Sequence, residues 1–406
     1  MDMTADEESG DRLRLCMVVH AYYPLGETRV EREALALRDR GLSVEVICLR
    51  KPGELAFEVI DGVRIHRLPI QRNKARGVMG QLLEYLAFFI MATWRLLWLG
   101  CRKRFDIIQV HNLPDFLVFA TVVPKCLGAR IILDLHDLMP EFFMERFHKS
   151  ATSPAVKLVR WQEKVSCRFA DHIITVTELW RQALIHRGVP PEKVTVVMNV
   201  ADHRVFHASL RRREPVGSGH LRMLYHGSIT HRYGLDLALL ALDEVRREIP
   251  DVTLTIHGRG EYLDELQEIA RDLGLLEHVS FSSQFMPTDE LASFISQADL
   301  ALVPYRDGIF SGAILPTKLM EYAALHMPVI TSRTAAISTY FDDSMVEYFN
   351  PGDPSGLARC ILGLVRDRSR LRQLGDNIAK FNQRHNWVQQ SASYVDLILG
   401  MAAKRG

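Results

Sequence analysis

Two histidines stand at the ends of apolar runs in the first half of the chain: His111 in VHNLPD (110–115) and His136 in DLHDLMPE (134–141). An imidazole so placed hydrogen-bonds sugar hydroxyls or shuttles protons. A lone strand-end histidine is usually structural, but two at equivalent ends aim at one edge, and His136 sits inside an Asp-x-His-Asp cluster that would tune it. In the second half, YHGSITHRYGLD (225–236) carries Gly227, which permits close backbone approach, and Arg232 near a helix start. A diphosphate fits such a loop.

Further on, YRDGIFSGAILPTKLMEYAALHMPVI (305–330) puts Gly312 ahead of Pro316 in a first helical turn, with Lys318 and Glu321 three residues apart on one face. A carboxylate there can grip both hydroxyls of a ribose while the lysine and the helix dipole face phosphate. The plainer reading is a surface ion pair. HGRGEY (257–262) contains G-x-G and Arg259 but follows an interior strand, a weak signal alone. In HAYYPLGETRVEREA (20–34), Thr28 and Glu31 have capping-box spacing behind Gly26, so a helix N-terminus that can hold an anion is expected there.

These residues need a scaffold of strand ends. From residue 13 the chain repeats a β-branched apolar run, a loop and an amphipathic stretch. Strands are expected at 13–19, 44–49, 63–68, 106–111, 130–135, 171–176 and 194–198, with helices at 28–40, 81–100 and 154–169. After a break at 204–220 the phrase restarts, with strands at 222–226, 252–257, 278–282, 299–303, 328–332 and 345–349. Near-continuous apolar strands fit parallel sheets covered on both faces. The chain therefore reads as α/β, with two Rossmann-like doubly wound domains in series, over 13–205 and 206–385. Residues 386–406 form a closing helix that packs back on the first domain, and ligands are expected in a cleft between the domains.

The 406 residues suit two domains. A formal charge of +1 provides no global field for nucleic acid. Six scattered cysteines without a CxxC pair read as reduced cytosolic thiols, and the acidic 1–12 as a disordered lead-in rather than a secretory signal. No Walker loop and no G-x-G-x-x-G follows the first strand, which counts against NTPases and dinucleotide oxidoreductases. No Asp-x-Asp occurs in a suitable loop, so no metal is expected.

Over essentially residues 13–400 the sequence resembles the GT-B glycosyltransferases of family 4. ETRVEREALALRDRGLSVEVICLR, DLHDLMPE, YHGSITHRYGLD, HGRGE and PTKLMEYAALHMPVI, with Asn386-Trp387, are the pieces that carry the resemblance. It implies a UDP- or GDP-linked sugar bound by the C-terminal domain through Gly227, Ser228, Arg259, Gly312, Ala313, Ile314 and Glu321, with Gly26 opposite. It implies an acceptor at His111 and Asn112 of the N-terminal domain. Glu321 matches the second glutamate of the family's E-x7-E motif, whereas the first is replaced by Ala313, where backbone N–H groups of 312–314 would substitute. The family's phosphate-binding Arg and Lys fall at Ser228 and Tyr233, so Arg232 and Lys318 stand in. His136 matches the histidine near the donor sugar's hydroxymethyl group. The implied mechanism is retention by front-face attack, the leaving phosphate taking the acceptor's proton, with His136, Arg232 and Lys318 assisting. A GT-B sugar-nucleotide epimerase resembling UDP-GlcNAc 2-epimerase and a non-catalytic nucleotide-sugar-binding protein are the alternatives.

Residues 70–104 hold seven Lys or Arg and one acid, Glu84, around a stretch with Trp94 and Trp98. Ten uncharged residues between Glu84 and Arg95 are too few to span about 30 Å of hydrocarbon. Two placements fit: a helix lying in a membrane interface over 78–104, or a buried crossover helix. The first implies a cytoplasmic enzyme, peripheral on the inner membrane, with a polyprenyl-linked acceptor.

Overall fold

The computed structural model of the chain describes residues 12–24, 27–72, 77–211 and 220–403. Gly26, nearly all of the acidic lead-in and residues 212–219 of the 204–220 break lie outside the described residues.

The first compact unit runs to Asn199 and takes up the chain again from Val388. Its strands are β1 (Arg14–Tyr22), β2 (Ser43–Leu49), β3 (Phe57–Ile60), β4 (Val63–Leu68), β5 (Ile107–His111), β6 (Arg130–Leu135), β7 (His172–Thr175) and β8 (Val194–Val196). They form one sheet in the order β3-β4-β2-β1-β5-β6-β7-β8, parallel except for β3 against β4. Between them run α1 (Thr28–Asp39), α2 (Val78–Arg102), α3 (Val122–Cys126), α4 (Met139–Arg146), α5 (Pro154–Phe169) and α6 (Glu178–His186). The β3–β4 hairpin departs from the expected all-parallel pattern. Its turn is Asp61-Gly62, with φ of 49° and 77°, a sequence suited to a two-residue turn with both central φ positive.

The second unit, Val200–Trp387, holds β9 (His220–His226), β10 (Asp251–His257), β11 (Val279–Ser282), β12 (Leu300–Val303), β13 (Val329–Ser332) and β14 (Glu347–Phe349). Its helices are α7 (Leu235–Val245), α8 (Leu263–Asp272), α9 (Thr288–Ile295), α10 (Thr317–Ala324), α11 (Ala335–Tyr340), α12 (Pro354–Arg366) and α13 (Arg368–Arg384). The last helix, α14 (Trp387–Ala403), falls almost wholly in the first unit. The strand order β11-β10-β9-β12-β13-β14 is that of a dinucleotide-binding sheet. The first sheet repeats it as β4-β2-β1-β5-β6-β7 with a strand added at each edge.

This order selects the ligand-bearing loops in each unit. Strand order reverses between β1 and β5, and again between β9 and β12, so the crevice past their carboxyl ends is unobstructed by a crossover. Leu15, Met17 and Val19 of β1 and Met223 and Tyr225 of β9 are buried beneath these points. Each fully buried aliphatic side chain contributes roughly 1.5–3 kcal/mol. Tyr394, Val395 and Ile398 of α14 complete the first unit's core alongside Val30, Ala34 and Leu37 of α1. All six cysteines are unpaired.

Candidate active site

In the first unit β5 and β6 end side by side, His111 pairing with Asp134 in register. Asp134 is fully buried and gathers its neighbours. Arg29 of α1 donates Nε and Nη2 to its two oxygens at 3.2 and 3.1 Å, and Gln109 donates at 3.0 Å. His111 Nδ1 lies 3.2 Å from Asp134 and 3.1 Å from His136 Nε2. Arg29 also pairs with Glu33 at 3.0 Å, Gln109 donates to Glu33 at 2.8 Å, and the Tyr394 hydroxyl of α14 donates to Gln109 Oε1 at 2.5 Å.

Burial would raise the Asp134 pKa, but Arg29 and His136 outweigh it and hold the carboxyl well below its ordinary range. Burial likewise opposes charge on His136, yet Asp134 wins and its pKa rises. Burial takes His111 down to about 4 and Glu33 up to about 7, the latter against the pull of Arg29. The result is a positively biased imidazole at a strand end, 19% exposed, with Nδ1 turned away from the acid. Such a group donates a charge-assisted hydrogen bond to a sugar or phosphate oxygen. His111, Asp134 and His136 offer ligating atoms within 4.8 Å of one another, but Arg29 already places a full positive charge on both oxygens of that carboxylate.

Three expectations change here. His111 is fully buried, and Asn112 engages its amide with Asp115 Oδ1, the Asp137 carbonyl and the His136 N–H at 3.0, 2.6 and 2.8 Å. Both therefore hold His136 in place, whereas the sequence reading had them touch an acceptor. At the start of α1 the cap residue is Glu27, with no side-chain capping bond, so Thr28 and Glu31 form no capping box. Arg29, Glu33, Gln109 and Tyr394 were not anticipated. Removing the Tyr394 hydroxyl (Tyr394→Phe) strands the Gln109 oxygen and should cost about 1–2 kcal/mol, read as a lower melting temperature.

In the second unit the loops after β9 and β10 interlock. Gly227 N–H donates to the His257 carbonyl at 2.9 Å, and Ile229 N–H to the Arg259 carbonyl at 2.9 Å. A Cβ on Gly258 would stand 1.8 Å from the Gly227 carbonyl oxygen, so only glycine fits there. That gives the weak G-x-G of HGRGEY a purpose in packing. Arg259 is exposed, its Nε donating to the Ser283 carbonyl at 2.6 Å, and Ser228 is exposed at the loop tip. Arg232 is half-buried, Nε donating to Thr230 Oγ1 at 3.3 Å, with its guanidinium 5.8 Å from the Tyr233 and Phe310 rings.

Lys318 is placed differently from the expected phosphate-facing lysine. Its Nζ is buried beneath Gly227 and donates to the Tyr225 and Tyr305 hydroxyls at 2.7 and 3.2 Å. The rings of Tyr225, Tyr233 and Tyr305 lie 4.1, 4.9 and 5.2 Å from it. Burial lowers its pKa to about 7, the Glu321 charge resisting. Tyr225 in turn donates to the Ser228 carbonyl at 2.6 Å, so the lysine props the loop tip from below.

Glu321 is only partly covered, and His226 Nε2 lies 2.6 Å from its Oε2, with His226 Nδ1 2.8 Å from the Tyr322 hydroxyl. His226 ends β9 and meets the criterion that singled out His111 and His136, yet the sequence reading passed over it. In the 311–313 turn, Gly312 N–H donates to the Gly308 carbonyl at 2.8 Å and Ala313 N–H to the Phe310 carbonyl at 3.0 Å. Those two N–H groups therefore hold the loop and do not replace the missing carboxylate, contrary to expectation. Pro316 is the cap of α10 and not within its first turn.

Residues 26–200 match the glycosyl transferase 4-like domain family, and residues 208–381 the glycosyl transferases group 1 family. The chain is 32% identical over 175 residues to the GDP-mannose-dependent alpha-(1-6)-phosphatidylinositol monomannoside mannosyltransferase of Mycolicibacterium smegmatis, a match covering 41% of this chain and 45% of that one. The chain thus spans under half the length of that relative. It is 22% identical over 371 residues to the chitobiosyldiphosphodolichol beta-mannosyltransferase of Candida albicans, over 84% of this chain and 79% of that one. The sucrose-phosphate synthase structure from Thermosynechococcus elongatus superposes with a TM-score of 0.75 at 17% identity, over 97% and 100% of the two chains. With two parallel-sheet units of matching strand order and a family match over each, the chain belongs to the family 4 glycosyltransferases of GT-B fold.

Proposed function

We propose that the chain transfers a sugar from a nucleotide diphosphate donor, UDP- or GDP-linked, to an acceptor hydroxyl on a lipid-linked glycan used in surface polysaccharide synthesis. The observation that carries the donor half is the second unit's strand-order reversal, where Glu321, oriented by His226, shares one loop cluster with Gly227 and Lys318. A carboxylate able to accept from two ribose hydroxyls beside a cationic, glycine-tipped loop suits a nucleoside diphosphate. The acceptor half is supported by two relatives whose names carry phosphatidylinositol and dolichol.

In the proposed step the anomeric carbon's bond to the diphosphate oxygen breaks as the acceptor oxygen attacks the same face, and the departing phosphate takes the acceptor's proton. The anomer is retained. Arg232 and Arg259 would offset the charge left on the diphosphate, with Lys318 adding to the field from beneath Gly227 when it is protonated, and His136 would hold the donor sugar with its charged imidazole. No metal is required by this scheme. The enzyme would work at the cytoplasmic face of a membrane, with residues 78–104 against it.

The test is donor turnover with each nucleotide sugar, read as nucleotide release with and without a polyprenyl-linked acceptor, and as the anomeric coupling of the product by NMR. Release accelerated by acceptor with the donor's anomer preserved is expected. An inverted product removes the front-face scheme, acceptor-independent isomerisation of the sugar favours the epimerase, and nucleotide binding without turnover favours the binding protein. Glu321→Ala should raise the donor KM by about 10- to 100-fold, the usual cost of a charge-assisted hydrogen bond.

A further inference from the structure

We propose that α2, α3 and α5 together form a docking face for an anionic lipid bilayer. The proposal deepens the lipid-linked acceptor reading and rests on it for its purpose, but its physical basis is separate.

Topology puts the three helices on one side of the first sheet. Connections from β4 to β5, β5 to β6 and β6 to β7 all step the same way along the order, and right-handed crossovers place their helices on the same face. The 3-10 turn Asp115–Thr121 joins them, with Phe116 against Phe89 of α2 at 6.1 Å and Phe119 against Phe169 of α5 at 5.2 Å. Lys125 of α3 donates to the Phe169 carbonyl at 2.9 Å.

Contrary to the expectation from the ten residues between Glu84 and Arg95, helix α2 as a whole has length and hydropathy enough to cross a membrane, but its environment assigns it another place. Its two ends return to strands of one sheet, and Glu84, Phe88, Ala92, Leu96 and Leu99, spaced three or four apart, are buried. The opposite stripe, from Met79 through Leu83, Leu86, Ile90 and Trp94 to Trp98, is 46–69% exposed. That stripe is about 30 Å long at 1.5 Å per residue. A helix apolar on both sides and buried on one lies in an interface.

The same chemistry continues beyond α2. Val122, Val123 and Leu127 are exposed around α3, and Leu158 and Trp161 on α5 are 63% and 61% exposed. Three of the chain's five tryptophans are thereby exposed on this face. Around them stand exposed Lys157, Arg160, Lys164 and Arg168 of α5, with Arg102, Lys103 and Arg104 at the end of α2. The acids of these helices, Glu84 and Glu163, are buried, the first beside His20 and the second beneath Arg187. A face with exposed cations, tryptophans and aliphatics and no exposed carboxylate on its helices complements anionic headgroups above acyl chains. A second copy of the same cationic face would repel it.

The experiment sediments the full chain with phosphatidylcholine vesicles, with and without phosphatidylglycerol. It compares wild type with Trp94→Ser/Trp98→Ser on α2 and Arg160→Gln/Lys164→Gln on α5. Binding to the anionic vesicles is expected, weakened roughly tenfold or more by either pair of changes, with tryptophan emission of the wild type shifting to the blue. No sedimentation of wild type overturns the proposal. So does an α5 variant that binds like wild type, or self-association through this face without vesicle binding. Thermal stabilisation by nucleotide checks that each variant is folded. If that stabilisation fails in wild type while vesicle binding persists, the transfer reading falls and the docking face stands.

Discussion

Asp134→Asn is expected to lower stability by about 3–5 kcal/mol, because Arg29, 2% exposed, loses the carboxylate that accepts from both its Nε and its Nη2 and keeps Glu33 alone to balance its buried charge. Turnover should fall at least 100-fold, an amount on the scale of losing the charge and orientation of a reacting-site imidazole. The two losses separate in Arg29→Met/Glu33→Gln/Asp134→Leu. Removing the buried cation together with both of its carboxylates should recover most of the stability in urea unfolding and none of the turnover.

A pH profile adds an independent check. The folded-state pKa of His136 is raised, so its contribution to stability is complete below the unfolded value near 6.5 and disappears as pH climbs through the raised value. Turnover that needs the imidazolium declines over the same alkaline interval. In Asp134→Asn that decline should move to lower pH. An unmoved profile would mean that His136 does not act in its charged form.

The second large effect belongs to Lys318. Its pKa near 7 lies below the unfolded lysine value, so the unfolded chain binds the extra proton between about pH 7 and 10.5, and stability rises with pH across that window. Lys318→Met has no such proton. The stability difference between variant and wild type should therefore change by about 3–4 kcal/mol from pH 7 to pH 10, favouring wild type progressively. Denaturant midpoints measured in parallel give that difference directly.

Binding of a nucleotide sugar, whose diphosphate does not titrate in this range, should weaken by up to about tenfold per pH unit above 7 in wild type as the neutral amine must first take up a proton. It should be nearly flat in the variant. Equal pH dependence in both proteins would leave Lys318 as a prop for the Ser228 loop and no more.

The strand ends were legible because continuous apolar runs such as RIILDL and HIIT have few other homes. The pairing of His111 with His136 was foreseeable from their equivalent positions. What escaped was everything settled by burial of charge. Arg29 and Glu33 look like the polar face of an amphipathic helix, and only the fold shows that this face is turned onto Asp134. Lys318 and Glu321 share a face of α10, yet one meets phenols and the other an imidazole from β9, which spacing alone cannot reveal. Gln109 sits mid-strand, and its partner Tyr394 is 285 residues away. Helix α2 was ambiguous for a physical reason: it is apolar on the side that packs and on the side that does not.

The placement of α14 sets an order of events during synthesis. The chain leaves the first unit after Asn199 and re-enters it at Val388, so about 190 residues emerge from the ribosome in between. At 5–20 residues per second this takes about 10–40 s. Through that interval the unit translated first lacks Tyr394, Val395 and Ile398 and the hydroxyl that satisfies Gln109. The contiguous second unit can fold first, and the unit that begins the chain is the last to be finished.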